Sequence, residues 1–305
     1  MSDIGASVLA RLKDKARGSG MAVQVHLRLF CQEEFMRRLE LSSYADKLIL
    51  KGGLFLFVLS GFESRATIDI DFLLKRLPGD VGSVQRIVES IIATSTGNDF
   101  ITFEMQNFRE ITAHRKYKGI SFQLVGRIKN TRTPFNVDFG IGDVVIPRAE
   151  IRRIPTQLSG FEAPEISTYS LESTVAEKLD AILERMELTS RLKDYYDVYF
   201  IATTFDFDGR VLQEAIIETL QNRGTVYDAS SFARILSFSS NTDMLIKWQR
   251  FLERTKLPAL DFAEVIDVFE HLFRDIWNAI SRQDEWLQAW HCQTRTWRSY
   301  GENGS

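Results

Sequence analysis

Two aspartates stand one residue apart in "TIDIDFLL" (Thr67 to Leu74), inside an otherwise apolar, β-branched run. Strand side chains alternate faces, so Asp69 and Asp71 project together while Ile68, Ile70 and Phe72 take the opposite, buried face. Two carboxylates roughly 7 Å apart along a strand repel each other unless something cationic lies between them. Mg2+ suits that demand, because it takes carboxylate and phosphate oxygens and keeps water in its shell. The same spacing also suits an edge strand with an acidic, solvated face. A third carboxylate, Asp138 in "FNVDFGIGDVV", again sits between apolar neighbours, and it too could face solvent. Three strand carboxylates can serve a two-metal site: one ion activates an attacking hydroxyl, the other holds a triphosphate and the departing pyrophosphate. Asp143 is the alternative third carboxylate, although it follows Gly142 and reads as a turn residue.

Gly52 and Gly53, in "KGG", lie seventeen positions before Asp69, counting from Gly52. A glycine pair at a helix start lets backbone N–H groups approach phosphate closely. No GxxxxGK[ST] or GxGxxG accompanies it, and a glycine pair alone is as often a turn. Downstream, Arg191, Asp194 and Asp197 are spaced i, i+3, i+6 and share a helix face, which also suits plain Arg–Asp pairing. Lys178 lies beside the apolar stripe Val175–Leu179–Ile182, where a lysine is ordinarily solvated. Facing strand carboxylates instead, its ammonium would neutralise β- and γ-phosphate charge.

The elements that must position these residues follow from periodicity and turn signals. Helices are expected over 5–16, ending at Gly18 and Gly20, and over 21–39 with Val25, Leu29, Phe35 and Met36 inward. "LFLFVL" after Gly53 is a short helix or a strand. "ATIDIDFLL" alternates as a strand, and a helix follows over 80–94 with Ile87, Ile91 and Ile92 inward. Three strands come next: "ITFEMQNFREIT", "GISFQLVGRI" and "FNVDFGIG", with Asn130 and Pro134 in the turn between the last two. From about Ser170 the pattern is helical almost to the end, in four segments: 171–186, 191–205, 209–224 and 260–280. The division into domains falls near 150–170.

Composition bounds the rest. The 305 residues are 44% apolar and 26% charged, enough for one large or two medium domains with a real core. A net charge of -3 supplies no global basic field for nucleic acid, so any basic surface must be local. The runs "HRKYK" (114–118) and "RIKNTR" (127–132), with Arg152 and Arg153, could form such a strip, or simply be solvated loops. Two distant cysteines, Cys31 and Cys292, exclude a disulfide framework and a zinc motif, and suit a reducing cytoplasm. The charged start of the chain does not read as a signal peptide, and no window is apolar enough to span a membrane. His26, His114, His271 and His291 show no ligand spacing. The C-terminal tryptophans Trp286, Trp290 and Trp297 are expected to pack on the helical part rather than stack bases.

Taken in order, "LILKGG…TIDIDFLL", "FNVDFGIGD" and "AEKLDAILER…RLKDYYDVYFI" resemble the AbiEii-type toxins, within the DNA-polymerase-β-like nucleotidyltransferase superfamily. The likeness runs from about Asp46 to Ile201 and is looser outside it. It implies an α+β fold: a polymerase-β-like core with a mixed sheet over 1–165, and a helical domain over 166–305 that completes the active-site cleft. It implies that Gly52 and Gly53 bind phosphate and that Asp69 and Asp71 bind metal, with Asp138 completing the site or acting as base. Lys178 would contact the triphosphate, facing the aspartates together with Asp194, while Arg191, Lys193 and Asp194 match the family's R-x-K-D motif, and Asp197 on the same helix face is a further candidate to bind the nucleotide. The implied reaction is Mg2+-dependent transfer of a nucleoside monophosphate from an NTP, plausibly to a tRNA 3′ end, halting translation and growth. A separately encoded antitoxin is the implied partner. Transfer to a protein hydroxyl, a non-catalytic nucleotide-binding regulator and a plain interaction protein are the alternatives. One departure is plain: the family usually has a small hydroxyl residue after the glycines, and here it is Leu54.

Overall fold

The computed structural model describes residues 3–61, 67, 69–111, 119–189 and 191–300. The chain forms two compact units, Met1–Gly142 with Ala149–Tyr169, and Asp143–Arg148 with Ser170–Ser305. The fold is mixed α+β.

The first unit opens with α1 (Ile4–Ser19), capped by the Asp3 carboxylate on the Ala6 N–H and stopped at Gly20 in the left-handed region. Helix α2 (Val23–Leu41) follows. Then come β1 (Leu48–Lys51), α3 (Gly52–Leu59), β2 (Ile70–Leu74) and α4 (Val81–Ala93). Strands β3 (Ile101–Ile111), β4 (Gly119–Ile128), β5 (Thr131–Ile141), β6 (Glu150–Arg153) and β7 (Glu165–Thr168) complete the unit. The seven strands form one sheet in the order β3-β4-β5-β2-β1-β7-β6. β2 runs parallel to β5, and β1 parallel to β7, while the other neighbours are antiparallel.

One face of the sheet is aromatic. Phe72 stacks on Phe139 at 6.1 Å, Phe122 meets Phe139 edge-on at 6.3 Å, and Phe35 of α2 lies 6.2 Å from Phe72. α2 crosses so closely that a Cβ on Gly126 would meet Cys31 Sγ at 2.5 Å. "LFLFVL" is helical, and α3 is buried on nearly every side, as befits a helix apolar all round.

α2 carries four buried charged residues, Glu33, Glu34, Arg37 and Arg38. Glu34 receives Arg37 Nη1 at 3.2 Å, Arg38 Nε at 3.3 Å and Asn98 Nδ2 at 2.8 Å. Glu33 receives Arg37 Nη2 at 3.1 Å and the Gln157 N–H at 2.8 Å. Burial nevertheless pushes the Glu33 carboxyl up to about 8, against the pull of Arg37 and Gln157.

The second unit contains α5 (Leu171–Arg185), α6 (Lys193–Thr204), β8 (Phe207–Asp208), α7 (Gly209–Arg223) and α8 (Ala229–Leu236). It ends with α9 (Thr242–Thr255), α10 (Phe262–Arg282), β9 (Gln288–His291) and β10 (Thr296–Ser299). Its core gathers Tyr195, Trp248, Phe262 and Phe269. Among the described residues, no helix is long and apolar enough to cross a membrane.

Several expectations change. Pro134 lies inside β5, opposite Val125, and not in the turn. Pairing of β5 with β2 begins only at Ile70 and Val137, so no ladder bond on that side needs a Pro134 N–H. The turn is Lys129–Asn130, with Lys129 at φ 52°. β6, β7, α8 and α9 were not expected. The tryptophan-rich end is a β-hairpin and not a helix. It packs as expected on its own unit: Trp290 is buried and donates Nε1–H to the Ala202 carbonyl at 2.8 Å. Val25 and Ile92 are only half-buried, and Ile68 lies outside the described residues.

The Glu33 environment predicts a pH effect. Between the usual glutamate range near 4 and about 8, the folded state keeps a proton that the unfolded chain has released. This group's contribution therefore favours folding below that window and is lost as pH rises through it, by about 1 kcal/mol per pH unit. Glu33→Gln should flatten that part of the stability-versus-pH curve, measured by urea unfolding from pH 5 to 8. An unchanged slope would show that Glu33 stays ionised.

Candidate active site

The sheet register brings the sequence-predicted residues of the first unit together. Asp71 on β2 is the parallel partner of Asp138 on β5, and the antiparallel partner of Lys51 on β1. Asp138 is in turn opposite Ser121 on β4, and Ser121 opposite Arg109 on β3. One row of side chains, Arg109, Ser121, Asp138, Asp71 and Lys51, thus crosses five strands on a single face. Ile70, Phe72, Val137 and Phe139 occupy the other face, as alternation requires.

Gly52 joins the row from α3. It sits at φ +71°, and a Cβ there would lie 2.7 Å from Asp71 Cγ. The glycine is needed twice over, for its backbone conformation and for the carboxylate leaning on it. Asp69 Oδ1 accepts a hydrogen bond from Asn136 Nδ2 at 2.8 Å. Among the described residues, no three His, Cys, Asp or Glu side chains gather around a point that could hold a metal ion. Of the three carboxylates expected to bind metal, Asp71 and Asp138 are register partners and Asp69 is hydrogen-bonded by Asn136.

The electrostatics mark Asp138. Burial pushes its carboxyl up to about 6, and the charges of Asp71 and Asp69 add to the shift. The Ser121 hydroxyl and, more weakly, Arg109 pull the other way. Among the described residues, Asp138 Oδ1 is buried without a hydrogen-bond partner. A carboxylate oxygen so placed, beside a second carboxylate, is where a bound cation is most stabilising.

Asp143 has another role. β5 ends at Ile141, and Asp143 lies in the second unit, where its Oδ1 is 2.9 Å from Arg223 Nη2. Arg223 also pairs with Glu177 at 3.0 Å and Asp180 at 2.9 Å. Burial works against the Arg223 charge, but these three carboxylates prevail and raise its pKa.

In the second unit Lys178 is not solvated. It is 8% exposed, and its Nζ lies 2.9 Å from Asp194 Oδ1 and 2.7 Å from Asp197 Oδ2. Arg191 Nε stands 3.0 Å from Asp194 Oδ2, an ion pair without hydrogen-bond alignment. Burial opposes the Asp194 charge, yet Lys178 and Arg191 outweigh it and hold its pKa below the usual range. Arg191 precedes α6, and Lys193, its first residue, is half-buried.

Leu54 is 1% exposed and belongs to the core, so the position after the glycines does not face a ligand. Part of the expected basic strip is paired with carboxylates. Arg127 is paired with Glu104, Lys129 with Asp3, and Arg152 with Glu150. Arg127 on β4 and Arg152 on β6 are five strands apart, about 24 Å. The 114–118 run lies outside the described residues. Asn136, Ser121, Arg109 and Lys51 were missed. Asn136 had a signal, since it stands two residues before Asp138 and therefore shares its face.

A family model described as the nucleotidyl transferase AbiEii toxin of a type IV toxin–antitoxin system matches residues 34–279. The fold is similar to that of MenT4, a nucleotidyltransferase toxin from Mycobacterium tuberculosis H37Rv. The identity is 18% and the TM-score 0.56, over 91% of this chain and 99% of that one. JHP933 from Helicobacter pylori aligns at 14% identity and a TM-score of 0.48, over 86% of this chain and 95% of that one. No curated protein matches the sequence significantly.

Two outcomes are expected. Gly52→Ala should displace Asp71 and lower turnover about a hundredfold, with a stability loss of about 1–2 kcal/mol; steady-state rates and thermal melts check both. Lys178→Met leaves two buried carboxylates facing each other and should destabilise by about 3–5 kcal/mol. Adding Asp194→Asn should recover part of that loss in a double-mutant cycle; strict additivity would show that the pair is uncoupled.

Proposed function

Because the chain belongs to the AbiEii nucleotidyltransferase toxin family, it is a nucleotidyltransferase, and we propose that it transfers a nucleoside monophosphate from an NTP to a tRNA 3′ end with Mg2+. The result is arrest of translation and growth in the cytoplasm, relieved by a separately encoded antitoxin. The tRNA and the antitoxin are carried over from the family resemblance.

The observation that carries the chemistry is the Asp71–Asp138 pair beside Gly52. Its donors fit Mg2+, which commonly binds through one or two carboxylates and fills its shell with water and phosphate oxygens. Bound there, Mg2+ would neutralise triphosphate charge and ease departure of pyrophosphate. The chain's own residues do the rest. Gly52 and Gly53 admit the phosphates close to the backbone at the start of α3. Asn136 fixes Asp69 next to the pair. As the acceptor hydroxyl oxygen bonds the α-phosphorus, the bond to the β-phosphate oxygen breaks, and the electron pair leaves with pyrophosphate. The hydroxyl proton passes to Asp138, whose Oδ1 has no hydrogen-bond partner among the described residues. Lys178, Arg191, Lys193, Asp194 and Asp197 serve the nucleotide. For Lys178 to reach a phosphate, its ammonium must give up contact with Asp194 or Asp197.

Label transfer tests the reading. Purified protein is incubated with Mg2+, total tRNA and each NTP in turn, radiolabelled on the α-phosphate, beside an Asp69→Ala/Asp71→Ala variant. Label should appear on tRNA with the wild type alone and vanish when Mg2+ is chelated. Label on protein would replace tRNA with a protein hydroxyl. NTP binding without transfer to either would reduce the site to a nucleotide clamp.

A further inference from the structure

We propose that Arg109 binds the RNA acceptor, through the phosphodiester next to its reacting 3′ hydroxyl, and so holds the end of the chain over Asp138. The inference rests on the nucleotidyl-transfer reading and adds an acceptor-binding residue to the same site.

A β-bulge puts Arg109 on the face of the site. β3 pairs with β4 from Ile101 opposite Ile128 to Met105 opposite Leu124, and pairing resumes at Phe108 opposite Phe122. Two residues of β3, Gln106 and Asn107, thus stand against one of β4, Gln123. Before the bulge, Phe103 is on the aromatic face, where it meets Phe35 and Phe135. Unbroken alternation would carry residues 105, 107 and 109 to that same face. The extra residue shifts the phase. Phe108 now covers Phe122, with ring centres 6.2 Å apart, and Arg109 stands opposite Ser121 in the row that contains Asp138 and Asp71. Phe108 is 54% exposed there, so the bulge gains little in packing. What it changes is the face that Arg109 takes.

The row continues the argument. Between Arg109 and Asp138 stands Ser121, small and 3% exposed, with its hydroxyl hydrogen-bonded to Asp138. A long side chain can pass above it. Arg109 is exposed, and its charge acts on the Asp138 carboxyl. In-line transfer puts the attacking and leaving oxygens on opposite sides of the α-phosphorus. Gly52 lies on the Asp71 side of the carboxylate pair. With pyrophosphate leaving there, the acceptor hydroxyl arrives from the Asp138 side, across β4 and β3. Two strand spacings, about 10 Å, separate the Arg109 and Asp138 backbones. A terminal nucleotide covers that order of distance between its 3′ hydroxyl and its 5′ phosphate. A guanidinium fork donates two parallel N–H bonds to a phosphate. A protein of net charge -3 must hold a polyanion through local cations of this kind.

The test separates the acceptor from the NTP. Transfer rates are measured against tRNA concentration, at saturating NTP with Mg2+ and over a series of salt concentrations, for wild type, Arg109→Gln and Arg109→Lys. NTP affinity is measured alongside, and circular dichroism checks folding. Arg109→Gln should lower kcat/KM for tRNA about ten- to a hundredfold, chiefly through KM, while leaving NTP affinity within about twofold. Its plot of log kcat/KM against log salt should flatten by about one unit of slope, one phosphate contact having been lost. Arg109→Lys, which keeps the charge but not the fork, should recover about half of the loss on a logarithmic scale and keep the wild-type slope. An unchanged kcat/KM in folded Arg109→Gln, a loss of NTP affinity equal to the loss for tRNA, or a loss with the salt slope unchanged would each overturn the proposal. A wild type that labels protein alone, or labels nothing, would instead overturn transfer to tRNA, and this proposal with it.

Discussion

The parallel pairing of β2 with β5 sets Asp71 directly beside Asp138, and much of the first unit is arranged around that juxtaposition. Two like charges about 5 Å apart, at an effective dielectric near 20, repel by about 3 kcal/mol. The reverse face supplies what holds the strands together regardless: Ile70, Phe72, Val137 and Phe139 are fully buried there. Each is worth about 2 kcal/mol of burial, so two of them outweigh the repulsion. The aromatic face therefore does more than fill a core. It fixes the register that forces the carboxylates together, and a slip of either strand by one residue would turn its carboxylate to the wrong side.

The acids of the chain fall into two kinds, and the difference is instructive. Asp194 and Asp197 share Lys178, while Arg223 gathers Asp143, Glu177 and Asp180. These clusters are matched by cations at about 3 Å and hold α5 to α6 and to α7. Among the described residues Asp138 lacks such a match: Ser121 and Arg109 offset it only in part, its Oδ1 has no hydrogen-bond partner, and its proton affinity is raised by burial and by its own kind. A structural carboxylate is paired within the fold, whereas a carboxylate meant for a ligand keeps an oxygen in reserve. Asp138 and Asp143 are five residues apart in one run, and only their partners separate the two roles.

Much of this was legible in the sequence. The period-two pattern of "TIDIDFLL" placed Asp69 and Asp71 off the apolar face, and the order of the glycine, aspartate and R-x-K-D motifs pointed to the family. Three things were hidden, each for a physical reason. The side-chain tautness of the site was one: Asp69 and Asp71 share a face by periodicity, but only the Asn136 amide decides where Asp69 points. The strands β6 and β7 were another, because four-residue strands such as "EIRR" and "EIST" carry too few alternations to stand out. The third was pairing across sequence distance. Nothing in "RIKNTR" announces that Arg127 meets Glu104 and Lys129 meets Asp3, which offsets two of the run's three positive charges.

The segment Lys51–Leu54 shows how tightly the fold constrains its own chemistry. Gly52 can carry no side chain, because Asp71 occupies the space a Cβ would need. Gly53 is buried at the first turn of α3, and Leu54 points into the core among Phe55, Leu56 and Phe57. A hydroxyl at position 54 would be buried among apolar side chains, at a desolvation cost of about 1–3 kcal/mol unless it found a partner. With that position committed to packing, recognition at this end of the sheet falls to backbone N–H groups and to charge. A site built this way depends on exact backbone placement, so the left-handed turn at Gly52 and the β1–β2 register are functional constraints as much as structural ones.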